Sequence, residues 1–183
     1  ARSADASPPT RPEALHHELA GTLARFLTGR VCLLGIGNRM WRDDGVGSVT
    51  VEALQAHPEL HTVDGGMVPE NYLEDVVGHD PDTILMIDAV DFNGNPGELR
   101  LLEPGQLAGS GLSTHAGSPA TLAQYLELRT RAKVGLLAVQ PGDTNLGSQL
   151  SPEVAATMRD LVEELASAVA SSAGHMTDGD KDQ

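Results

Sequence analysis

The stretch VCLLGIGNRMWRDDGVG, residues 31–47, decides how the rest of the chain is read. Val31 to Leu34 is a continuous apolar run closed by Gly35, the pattern of a strand buried on both faces. Gly37 and Asn38 follow, then the adjacent acids Asp43 and Asp44, then Gly45 and Gly47. Three readings are open for such a loop: a nucleotide cradle, an ordinary tight turn, or half of a metal site. The cradle is the weakest. A dinucleotide fingerprint needs a third glycine where Met40 stands, Trp41 and Arg42 lengthen the loop, and paired carboxylates repel phosphate. An Asp-Asp-Gly run taken alone is turn chemistry.

Outward from this loop, strands and helices alternate. Upstream, Thr10-Arg11-Pro12-Glu13 has the form of a capping box, and Leu15, Leu19, Leu23, Phe26 and Leu27 recur at helical spacing. They predict a helix from about Arg11 to Leu27. Downstream, GVGSVTVEALQAH predicts a helix, residues 60–63 a strand ending at Asp64-Gly65-Gly66, residues 71–77 a short helix, and TILMIDAV (83–90) the strongest strand. NGNPG (93–97) is a turn, and the alternating ELRLL after it suits an edge strand. A Gly- and Ser-rich loop then leads to Ser118, which caps a helix with Pro119 at its first position. Residues 134–140 predict the fifth strand, and Ser151-Pro152-Glu153 opens a last helix reaching about Ser171. The expectation is a single three-layer α/β domain over residues 10–173. It has a twisted, mainly parallel five-stranded sheet with helices on both faces. Residues 1–9 are expected to be a disordered leader and residues 174–183 a disordered acidic tail.

Composition narrows the function. Of 183 residues, 40% are hydrophobic and 3% aromatic, so aliphatic side chains must fill the core. A formal charge of -14 argues against nucleic acid or an anionic membrane as partner. No apolar stretch approaches the length of a spanning helix. The single cysteine, Cys32, lies in the apolar run, which excludes an internal disulfide or a thiolate metal site and suits a reducing cytoplasm. No Gly-x-Ser-x-Gly elbow and no His-Glu-x-x-His run occurs, and the adjacent His16 and His17 point to different sides of the first helix.

In a parallel sheet, function gathers at the carboxyl ends of the strands. Asp44 lies in the loop leaving the first strand, Asp64 at the end of the second and Asp88 near the end of the third. His115, in the loop before the fourth helix, has reach to the same rim. Two carboxylates and an imidazole form a donor set for a borderline divalent ion such as nickel or zinc, with positions left open for water or substrate. Taken singly, each residue has a plainer reading as a turn, a cap or a solvated side chain.

Five stretches in this order, GIGNRMWRDDGVG, VDGGMVPEN, MIDAVDFNGNPGELRLL, STHAGSP and LLAVQP, resemble the hydrogenase maturation endopeptidases, most closely the branch serving hydrogenase-3-type large subunits. The resemblance covers about residues 31–165. It implies a compact α/β protease that removes the C-terminal extension of a nickel-loaded NiFe hydrogenase large-subunit precursor. It further implies a nickel-binding trio of Asp44, Asp88 and His115, with the nickel presented by the substrate, and Asp64 as a catalytic helper. The free protein is expected to be a monomer. The helix before Val31 and the acidic tail are additions to the family's usual pattern. The competing expectations are a non-catalytic assembly factor and a small-ligand-binding α/β domain.

Overall fold

A computed structural model describes residues 13–103, 106 and 118–175. Its strands are β1 (Val31–Ile36), β2 (Leu60–Gly66), β3 (Thr83–Ala89), β4 (Leu99–Leu102) and β5 (Lys133–Val139). Its helices are α1 (Glu13–Phe26), α2 (Val46–Leu54), α3 (Leu73–Gly78), α4 (Pro119–Arg129) and α5 (Pro152–His175). They form one sheet of order β2-β1-β3-β5-β4. The first four neighbours run parallel, and β4 pairs antiparallel with β5 at the edge. The five-stranded, mainly parallel three-layer architecture is the one expected. The proposed leader, most of the acidic tail, the Thr10 capping box and His115 lie outside the described residues.

Alternation along the strands divides the core into two layers. Val31 and Leu33 of β1, Leu85 and Ile87 of β3, and Leu137 and Val139 of β5 pack on α1, α2 and α5. Cys32, Leu34, Ile84, Met86, Val134 and Leu136 face the other way, onto α3 and α4. Burial and the charge of Asp75 push the Cys32 thiol up to about 12, so it stays protonated and inert. Local chemistry sets the helix starts. The Ser118 hydroxyl accepts a hydrogen bond from the Thr121 amide at 3.3 Å, with Pro119 in the first turn of α4. The short α3 is preceded by a 3-10 turn at Pro69–Tyr72, because proline fixes the entry.

The additional first helix is part of the core. Leu23, Phe26 and Leu27 are buried, each contributing about 1.5–3 kcal/mol. The Phe26 ring occupies the space over Gly135 of β5 that a Cβ would fill. Thr83 fastens the connection to β1 by donating to the Thr28 carbonyl at 2.8 Å and accepting from the Thr28 amide at 3.2 Å. Among the described residues no helix is long and apolar enough to cross a membrane.

The start of α2 presses directly on the sheet. Gly35 lies within β1 rather than closing it, since pairing on both sides overrides glycine's weak strand preference. It faces the Gly47 carbonyl, and a Cβ on Gly47 would collide with the carbonyl oxygens of Ile36 and Ile87. Backbone cannot rotate away as a side chain can. Gly47→Ala is therefore expected to lower unfolding stability by about 2–3 kcal/mol in urea denaturation. Gly78→Ala, in open space at the end of α3, is expected to change it by no more than about 1 kcal/mol, in the stabilising direction.

Candidate active site

The chain leaves β1 in the middle of the sheet and runs to β2 on one side, then to β3 on the other. The carboxyl ends of these strands form a crevice at this switch point. A cleft of about 470 Å³ lies there, with Asp44 and Asp88 in its lining, together with Trp41, Met67 and Thr144.

The loop after β1 is held by its own backbone. Gly37 has φ +134, and a Cβ there would fall on the Asp44 carbonyl, so the position requires glycine. The Gly37 amide donates to the Gly66 carbonyl at 2.9 Å, tying the loop to the end of β2. The Asn38 side chain accepts from the Met40 amide at 2.9 Å and tightens the turn. The Asn38 amide in turn donates to the Asp44 carboxylate at 3.0 Å and directs it.

The two adjacent acids have opposite surroundings. Asp43 is fully buried. It accepts hydrogen bonds from the amides of Gly142 and Asp143, both at 2.8 Å, and from the Ser151 amide at 2.6 Å and hydroxyl at 2.7 Å. All four donors lie 99 to 108 residues further along the chain. Asp43 is thus the clamp that fixes the β1–α2 loop to the segment before α5. Sequence reasoning passed over this role because nothing in the local Asp-Asp-Gly pattern marks which acid turns inward.

Asp88 borders the cleft near the end of β3. Burial, and next the negative charge of Asp44, push its carboxyl up from 3.8 to about 7, against a smaller opposing effect of the Ala89 amide. Two like charges at one opening resist joint ionisation, which poises the pair to hold a cation or to share a proton.

Asp64 sits at the carboxyl end of β2 as expected but turns away from Asp88. Gly35 pairs with both Asp64 and Ile87, so Asp64 shares the face of Ile87, and Asp88 points to the opposite face. The Asp64 carboxylate accepts from the Ser48 hydroxyl at 2.6 Å, from Arg39 at 2.9 Å and from the Gly66 amide at 3.1 Å. Arg39 also pairs with Glu52 and donates to the Ser48 carbonyl at 2.8 Å. Asp64 therefore braces the loop against α2 and the β2 end. The residues to which the sequence assigns no functional role are Asp43, Arg39, Thr144 and the apolar lining residues Trp41 and Met67.

These environments separate the acids experimentally. Asp43→Ala leaves four donors without an acceptor and is expected to cost about 3–5 kcal/mol of stability. Between about pH 4 and pH 7, native Asp88 keeps a proton that the unfolded chain has released. Its contribution therefore weakens stability as pH rises through that window. Asp88→Asn removes this loss. In metal-free buffer at pH 8 it is expected to raise the thermal midpoint by about 2–6 °C, a gain that fades toward pH 4.

The profile of the HycI hydrogenase maturation proteases matches residues 49–168. The hydrogenase 3 maturation protease of Escherichia coli K12 is 33% identical over 114 residues, covering 60% of this chain and 71% of that protein. The hydrogenase expression/formation protein HupD of Thiocapsa roseopersicina is 34% identical over 135 residues, 68% of this chain and 60% of that protein. Among solved structures, the NiFe hydrogenase maturation protease HycI of Thermococcus kodakarensis KOD1 superposes with a TM-score of 0.75 at 28% identity, covering 81% of this chain and 99% of that one. With two half-buried acids lining a cleft at the switch point of this sheet, and matched in this way in sequence and structure, the chain belongs to the hydrogenase maturation protease family.

Proposed function

We propose that this endopeptidase removes the C-terminal extension of a NiFe hydrogenase large-subunit precursor, acting in the cytoplasm on precursor that already carries nickel. The observation that carries the reading is that Asp44, in the loop leaving β1, and Asp88, near the end of the adjacent parallel strand β3, line one cleft. Their oxygens together with an imidazole nitrogen suit a borderline divalent ion borne by the substrate. His115, outside the described residues, is the third ligand in this reading. Nickel held there would polarise the scissile carbonyl. The chain's own contribution is placement and proton handling. Asp44 is aimed by the Asn38 amide, and the Asp88 carboxyl, pushed up to about 7 in the metal-free protein, gives up its proton when it takes the ion. Asp64 acts through Arg39 and Ser48 as a positioning residue.

The test is mass spectrometry of the cognate large-subunit precursor incubated with the protein, before and after nickel insertion. Loss of one defined C-terminal peptide from the nickel-loaded precursor alone is the expected result. Asp44→Asn, Asp88→Asn and His115→Ala should remain folded and slow processing at least about 100-fold. Stable binding of the precursor without any cleavage would instead identify an assembly factor.

A further inference from the structure

Large apolar side chains are exposed in an uneven pattern. Of the seven among the described residues, Met40, Trp41, Met67, Val68, Tyr72 and Leu146 lie on three short segments, and only Leu128 of α4 stands apart. Each segment supplies or adjoins the cleft wall. Trp41 lines it from the loop after β1 and Met67 from the end of β2, and Thr144 lines it two residues before Leu146. Met40 and Leu146 are brought beside each other by backbone pairing, with the Gly147 amide donating to the Met40 carbonyl and the Arg42 amide to the Gly147 carbonyl, both at 2.8 Å. Met67, at 71% exposure, continues directly into Val68 and Tyr72. A solvated apolar cluster of this kind marks a contact surface, and methionine adapts its shape to a partner.

The size and charge of the opening define what fits. A cleft of about 470 Å³ admits a few residues of extended chain and no folded domain. Two carboxylates in its wall, on a chain of net charge -14, repel acidic side chains. We propose that the rim is the docking surface for the precursor segment flanking the bond to be cut: an extended peptide with aliphatic or aromatic side chains on the rim and no acidic residue in the cleft. This deepens the proposed function and rests on it. The rim supplies binding, and the acids below it supply the reaction.

Trp41 is the chain's only tryptophan, so its fluorescence reports on the rim directly. Addition of the cognate nickel-loaded precursor is expected to shift Trp41 emission to shorter wavelength and to protect it from acrylamide. Met67→Glu and Leu146→Glu, with unchanged far-UV circular dichroism, are expected to raise KM for processing at least about tenfold with little change in kcat. Met67→Gln, which adds no charge, should raise KM about threefold, and Leu128→Glu should match the parent. The proposal is overturned if the rim variants process like the parent, if their loss is confined to kcat, if Leu128→Glu loses as much, or if cleavage proceeds with no change at Trp41. If the parent shifts Trp41 without cleaving, and the rim variants abolish that shift, the hydrolase reading fails while the docking surface stands. Absence of both cleavage and shift overturns both.

Discussion

The cleft depends on one buried carboxylate. Asp43 has lost all contact with water, which for an unsatisfied charge would cost several kcal/mol. Its four hydrogen bonds reverse that cost only when the β1–α2 loop and the segment before α5 are both in place. Ser151, which supplies two of them, precedes the first residue of α5, so the charge also lies near the positive end of a long helix. The segments carrying Trp41 and Thr144, remote in the chain, are thereby made parts of one wall.

Around that clamp the other acids are sorted by backbone geometry. Asp44 follows Asp43 directly, yet its carboxylate accepts from the nearby Asn38 amide and borders the cleft. Asp64 is diverted to α2, where Arg39 and Ser48 satisfy it. Asp88 is left beside Asp44 with its proton held unusually firmly. Placing two acids at one cleft, where the charge of one raises the carboxyl of the other, works against stability, and sites that do so are common where activity requires it. The closely packed helix and strands at Gly35 and Gly47 provide the rigid support.

The element order and the sheet class were legible because they rest on periodicity: continuous apolar runs at 31–34 and 83–90, helical spacing between them, and proline and serine at helix starts. Asp44 and Asp88, which the carboxyl-end rule assigns to one rim, line one cleft. What could not be read was direction. Whether Asp64 faces the cleft depends on its register with Gly35, and a shift of one residue would turn it over. The division of labour within Asp43-Asp44 depends on donors about a hundred residues away, and such pairing leaves no local trace. Trp41 and Met67 read as ordinary loop residues in the sequence, and only the fold brings both to the lining of one cleft.

The seat of Phe26 over Gly135 has a consequence for how far the chain tolerates trimming. The glycine leaves a hollow in β5 that the aromatic ring fills, while Leu23 and Leu27 cover the neighbouring surface of the last helix. A shortened chain beginning at the first strand would open that hollow to solvent and uncover an oily strip on the side of the sheet that carries α2. Its new surface would favour self-association, so the leading helix belongs to the folding unit even though it lies far from the chemistry.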